Sequence, residues 1–238
     1  MPRRIPHPLL VLLISCAGFL PIVALFAIAG RRAAAAHDNP QRTFALVHPA
    51  TFKGRAWIAT GNIGDAIGFY FVALPIAACL RRVAPTAWGR RGGTLLLAYT
   101  VNGAFWALLG AVLLPLAVDR TEKDWRKATT LCQSFGWGVI GNTLGGAAWL
   151  LLAWSYRRQR PGFAVCNAAL GSMYLLGGRI EHRAVPSKVS LVGVTFYLFV
   201  QLLIWNPWAA HVCRTATPLV PAAGAGVWRP SAGDKMTR

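Results

Sequence analysis

The sequence predicts an all-α fold, a polytopic transmembrane helix bundle of about six spans. Hydrophobic residues make up 55% of the 238 and charged residues only 13%, and mean hydropathy is +0.45. The apolar residues also gather in long runs that end at arginine pairs, a pattern soluble domains lack. A bilayer core needs about 20 residues of helix. Runs at 8–30, 57–80, 94–118, 131–156, 162–178 and 189–212 meet or approach that length, so 1–212 is expected to form the bundle. The remainder, 213–238, contains prolines and the stretch "AAGAG" and reads as a disordered C-terminal tail.

The first run follows Arg3-Arg4 and ends near Ala27-Ile28-Ala29, which imitates a signal peptide with its cleavage site. The run exceeds an ordinary signal core, which favours an uncleaved first helix. The second run contains a carboxylate among glycines, "GNIGDAIG" at 61–68. An aspartate at mid-membrane costs about 2.5 to 3.5 kcal/mol, while each Leu, Ile, Phe or Val returns about 0.3 to 0.6. This run holds nine such residues, so its balance is only just favourable and the helix needs neighbours. At 3.6 residues per turn Gly61, Asp65, Gly68, Val72, Pro75 and Cys79 form one stripe, with Gly64-x-x-x-Gly68 beside it. Small residues let another helix approach, so Asp65 is expected to face protein.

The third run carries Asn102, flanked by Tyr99 and Trp106. Thr60-x-Asn62 with Leu74-Pro75 matches Thr100-x-Asn102 with Leu114-Pro115 at a 40-residue offset, a faint repeat of the kind seen in inverted kinked helices. The fourth run opens after Thr121-Glu122-Lys123-Asp124, which has capping-box spacing. Its small stripe is Ser134, Gly138, Gly141, Gly145 and Ala148, with Asn142 adjoining. The fifth is the weakest, short and interrupted by Asn167, Gly171 and Gly177-Gly178. The sixth carries Tyr197 one turn before Gln201. Trp57, Trp88, Trp125, Trp154, Trp205 and Trp208 lie near span ends, where interfacial aromatics are expected.

A net charge of +18 would ordinarily suggest nucleic acid, but the basic residues fall in pairs at span ends, as anchors to anionic headgroups do. No basic stripe with interleaved aromatics occurs, so nucleic acid is not an expected partner; the lipid bilayer is. With the N-terminus inside, inner segments hold 13 Lys and Arg and outer loops 12, so the positive-inside rule barely decides for an N-in, C-in arrangement. Twenty arginines against five lysines point to a GC-rich bacterial source, and so to a bacterial cytoplasmic (inner) membrane.

Candidate site residues follow from polarity at depth. Asp65, Asn62, Asn102, Asn142, Gln201 and Tyr197 could line a polar seam that binds a ligand or carries a proton. No Lys, Arg or His falls within the hydrophobic depth of any span, leaving the carboxyl to hydrogen-bond with the amides. The competing reading is that these groups are packing glue, each bond contributing only about 0.6 kcal/mol. The expected function is binding or transport of a small apolar or protonatable molecule, or of a lipid, around Asp65. The alternatives are an intramembrane isomerase or cyclase using Tyr70, Tyr99, Tyr174 or Tyr197 as second titratable group, and a non-catalytic membrane subunit.

No metal and no cofactor is expected. The histidines and acids of the outer loops, among them His37, Asp38, His48 and His182, have no HxxxH or HExxH spacing. Cys16, Cys79, Cys132, Cys166 and Cys213 contain no CxxC and read as small packing residues. No GxSxG elbow marks a nucleophile.

Three stretches, "GDAIGFYFVALPIAACLRR", "LCQSFGWGVIGNTLGGAAWLLLAWSYRRQ" and "YLFVQLLIWNPWAAHV", carry an early acid in the second span, a glycine-rich fourth span ending in basic residues, and a tryptophan-containing last span. In these features residues 57–212 resemble a group of bacterial six-span membrane proteins classed as a domain of unknown function. The resemblance implies fold and membrane location and transfers no activity.

Overall fold

The structure, a computed structural model, describes residues 6–18, 20, 59, 62–118, 123–124, 127–128, 131, 135–136, 139–180 and 199–216. Every regular element among them is a helix: α1 (Pro8–Gly18), α2 (Asn62–Val83), α3 (Ala87–Val118), α4 (Val139–Tyr156), α5 (Pro161–Ile180) and α6 (200–215). Two of these, α2 and α3, are long and apolar enough to cross a membrane. From α2 to α5 each helix packs on its predecessor, and α6 returns to lie on α2 and α5.

Helix ends depart from the runs read in the sequence for local reasons. The apolar run begins at 94, yet α3 begins at Ala87, because Thr86 accepts a bond from the Gly89 amide at 3.1 Å and so caps the helix. Arg90 and Arg91 then fall on its exposed first turns, and its 32 residues reach about 48 Å, more than a bilayer core. The fifth run, weakest in sequence, is a full 20-residue helix opened by Pro161 at its first position. In the fourth run the described α-helix spans Val139–Tyr156, and Phe135 and Gly136 ahead of it lie in a wider turn. The last helix continues past 212 to Thr215, since Val212 and Cys213 are still buried against the bundle.

Close approach is arranged by glycine. A Cβ on Gly68 would lie 2.6 Å from the Gly18 Cα, and one on Gly18 2.5 Å from the Gly64 carbonyl oxygen, so α1 and α2 touch backbone to backbone along the stripe seen in the sequence. On α4 the stripe works differently. Gly141 and Gly145 receive the Tyr99 ring, and it is Gly146 that meets α5, a Cβ there falling 3.0 Å from the Gly171 carbonyl oxygen. Gly171 is thus what allows α5 to pack, not a flaw in it.

The exterior of α3 is a stripe of Val101, Phe105, Leu108, Val112 and Leu116, all exposed; Ile63, Ile67 and Phe71 do the same on α2. Facing water this would be an aggregation surface, whereas facing lipid it costs nothing. One end of the bundle is marked by charge. The Thr86 hydroxyl donates to the Ser155 oxygen at 2.9 Å, and Arg160 Nη2 donates to Thr215 at 3.0 Å, so the α2–α3 turn, the α4–α5 turn and the end of α6 lie together. That end carries Arg81-Arg82, Arg90-Arg91, Arg157-Arg158, Arg160 and Arg214, with no acid among its described residues. Trp88 and Trp154 stand exposed there beneath Arg91 and Arg157, as interfacial tryptophans do. Trp205 does not: it is fully buried, its indole N–H held 3.0 Å from Asn167 Oδ1.

Replacing Gly68 by Ala should destabilise the protein by about 1 to 3 kcal/mol through overpacking against α1. Gly64→Ala, whose Cβ meets nothing closer than 3.4 Å, should be neutral or slightly stabilising. Thermal unfolding of the purified variants in one detergent checks both.

Candidate functional site

The polar interior is organised by two π-helical segments, Ala66–Phe71 in α2 and Val200–Trp205 in α6. Pro75 stands four residues past the end of the first and Pro207 two residues past the end of the second. Pro75 cannot donate to the Phe71 carbonyl, nor Pro207 to that of Leu203, and each ring crowds the carbonyl it fails to bond. Widening the preceding turn relieves the clash and re-aims the side chains around it, as π turns at functional sites do. Tyr70 comes from the first segment and Gln201 from the second.

These two meet Tyr99 of α3 and Tyr174 of α5. The Tyr99 hydroxyl donates to Tyr174 Oη at 3.2 Å, and Tyr174 donates in turn to Gln201 Oε1. The Tyr70 ring meets that of Tyr99 edge-on, with 5.7 Å between their centres. Four helices therefore converge on one buried polar node. The Tyr70 ring lies directly on Gly103 of α3, where a Cβ would overlap its carbons. The fourth helix supplies Trp149, whose ring centre lies 4.6 Å from that of Tyr174 and 5.4 Å from that of Tyr99. Gly145 makes the room, since a Cβ there would come within 3.1 Å of the Tyr99 ring.

Two donors of this cluster, Gln201 Nε2 and Trp149 Nε1, are buried and have no hydrogen-bond partner among the described residues. Buried donors without acceptors are costly, about 1 to 3 kcal/mol each, and native interiors hold few of them. Below the node a second layer is fully satisfied. Asn167 Nδ2 donates to the Phe163 carbonyl at 2.6 Å while its Oδ1 accepts from Trp205.

The residues singled out in the sequence separate into groups. Gln201 is central to the node. Asp65 is half-buried near the start of α2, about 25 Å along the helix from Arg82 and thus toward the end opposite the arginines. Its side chain makes no capping bond. Asn62 is buried one turn earlier and is engaged. Asn102 belongs elsewhere: its Nδ2 donates to the carbonyls of Phe135 at 2.9 Å and Gly136 at 3.1 Å, closing the wide turn before α4. Asn142 is buried with its Nδ2 unpartnered, next to Gly141, which faces the Tyr99 ring. Tyr197 lies outside the described residues, as do the loop residues His37, Asp38, His48 and His182. Among the described residues no three His, Cys, Asp or Glu side chains converge.

What the sequence reading missed is that the tyrosines, not the asparagines, form the junction, and that Trp149 joins them. The signal was the coincidence of Tyr70, Tyr99 and Tyr174 with spans that also carry glycines able to accept a ring. No family model, curated protein or solved structure matches this chain, so the chemistry of the node must be read from its own atoms.

A double-mutant cycle of Tyr174→Phe and Gln201→Leu should show a coupling of about 0.6 to 1.7 kcal/mol, the range for hydrogen bonds between membrane helices. Gly103→Ala should displace the Tyr70 ring and lower stability by about 1 to 3 kcal/mol. Both are read from unfolding midpoints in detergent.

Proposed function

We propose that this chain is a multi-pass protein of a bacterial cytoplasmic (inner) membrane that binds, and passes through its helices, a small apolar or protonatable molecule. The carrying observation is the pair of unpartnered buried donors, Gln201 Nε2 and Trp149 Nε1, beside the Tyr70, Tyr99 and Tyr174 node. Donors in an aromatic enclosure suit a ligand with an apolar body and one or two acceptor oxygens. Aromatic rings take the body, and the hydroxyl and amide groups hold the oxygen. Asp65, five residues before Tyr70 on α2 and away from the arginine end, is the acid that would exchange a proton with an arriving ligand.

The membrane placement draws on the two spanning-length helices, the lipid-suited exterior and an arginine end without an acid among its described residues. Six crossings, with both termini on the arginine side, follow if each apolar run is a span. The positive-inside rule, nearly balanced over the loops, then favours the arginine-rich end as cytoplasmic.

A second reading has one observation behind it. Asp65 lies five residues before Tyr70 on α2, and the pair supplies the two titratable groups that an intramembrane isomerase or cyclase would need. The two readings differ in whether the bound molecule leaves unchanged.

Mass spectrometry of small molecules that copurify with the gently extracted protein tests the first reading. A defined acceptor-bearing compound should travel with the wild type and be reduced about tenfold or more in Trp149→Phe, which keeps the ring character but deletes the donor, the loss expected for one buried hydrogen bond. Asp65→Asn should keep expression and alter uptake of that compound or its pH dependence. Unchanged uptake across pH would remove Asp65 from the mechanism, and a stoichiometric protein with no small molecule would point to a membrane subunit.

A further inference from the structure

Where α2 runs into α3, the chain builds a cleft of about 760 Å³ lined by Arg81, Arg82, Arg90 and Arg91, with Thr94, Ala78 and Leu97 continuing along it. The cleft exists because the two helices are pressed together just past the turn. A Cβ on Gly93 would fall 2.5 Å from the Arg81 Cα, so the backbones touch there and the four long side chains splay around the contact. All four arginines are exposed. Guanidinium forks match phosphate oxygens, and four of them border this one cleft.

The floor of the cleft decides what kind of anion. Arg90, Thr94 and Leu97 stand on one face of α3, and at the same spacing that face continues into the exposed Val101, Phe105, Leu108 and Val112. Arg82 and Ala78 likewise lead along α2 to the exposed Phe71, Ile67 and Ile63. Thr94 spends its own hydroxyl on the Arg90 carbonyl at 3.0 Å, which leaves the cleft mouth purely cationic. A charged mouth thus opens onto an apolar track of membrane length. From this we infer that the α2–α3 cleft is a specific binding site for an anionic phospholipid, its phosphate gripped by Arg82 and Arg90 and its acyl chains lying along the exposed faces of α2 and α3. A free phosphate would share the headgroup chemistry but leave the apolar track without a role.

This site is separate from the tyrosine node and stands or falls independently of it. General attraction of a basic end to anionic membrane is the competing explanation, and Arg157-Arg158 provides the control: the same end, the same charge, outside the cleft. The experiment is native mass spectrometry of the full-length protein in detergent. Phosphatidylglycerol and diphosphatidylglycerol are titrated against phosphatidylcholine, with inorganic phosphate and glycerol phosphate as soluble competitors. Wild type should retain the anionic lipids over phosphatidylcholine. Arg82→Gln with Arg90→Gln should lose that preference by about thirtyfold, on about fivefold per arginine at a membrane surface. Arg157→Gln with Arg158→Gln should stay within about twofold of wild type. Should the cleft double variant not fold, the two single variants, each expected to lose about fivefold, carry the same comparison. Equal losses from both arginine pairs would overturn the site in favour of diffuse surface charge. Displacement of lipid by millimolar inorganic phosphate or glycerol phosphate would overturn the assignment to a lipid.

Discussion

The bond from Tyr174 to Gln201, with Tyr99 bonded to the same tyrosine hydroxyl, ties α3, α5 and α6 at one point, and the rest of the bundle is arranged around it. In lipid there is no hydrophobic reward for bringing two greasy helices together, so specific association comes from close packing and from polar groups that find each other. A hydroxyl and an amide on separate helices meet only if their helices have one rotation and one depth. This bond therefore specifies geometry far more than it adds stability. Aromatic rings fill the space around it, Trp149 against Tyr174 on one side and Phe69 against Tyr70 and Tyr99 on another.

Glycine and proline make that meeting possible by opposite means. Glycines remove volume: Gly103 under Tyr70 and Gly145 under Tyr99 allow rings to lie where side chains would stand, while Gly18, Gly64 and Gly68 bring two backbones into contact. Prolines remove a donor and add bulk, and the turns ahead of Pro75 and Pro207 widen to accommodate them. The result is that Tyr70 and Gln201 point inward from positions that a straight helix would direct differently. The cost of those distorted turns is borne by a packed interior, which is where strained elements with a use are normally found.

The two ends of the bundle do different work. At the arginine end, polar bonds link turns: Thr86 to Ser155 and Arg160 to Thr215; a little deeper, the Cys79 thiol leans on the Cys213 carbonyl at 3.9 Å and the Cys213 thiol on that of Ile76 at 3.7 Å. Toward the opposite end lies Asp65, half-buried and without a cation near it among the described residues. Charge is thus concentrated where headgroups would stabilise it, and Asp65 is set apart from it, toward the other end of α2.

By itself the sequence determined the composition of each layer. Apolar runs of spanning length, arginine pairs at their ends and the Gly64-x-x-x-Gly68 stripe follow from one-dimensional patterns, because helix periodicity and the energy of placing charge in lipid are local properties. It also singled out Gln201, since an amide in an apolar run is expensive wherever the helix goes. Only the tertiary structure decided which polar groups meet. Asn102 and Gln201 are alike in sequence, yet one closes a turn at Phe135 and Gly136 while the other joins the tyrosines. Likewise Trp205 reads as an interfacial residue until Asn167 captures its indole, and Gly145 reads as a helix contact until Tyr99 occupies it. Rotation, depth and partner are set by packing between segments far apart in the chain, and no pattern within a single segment contains them.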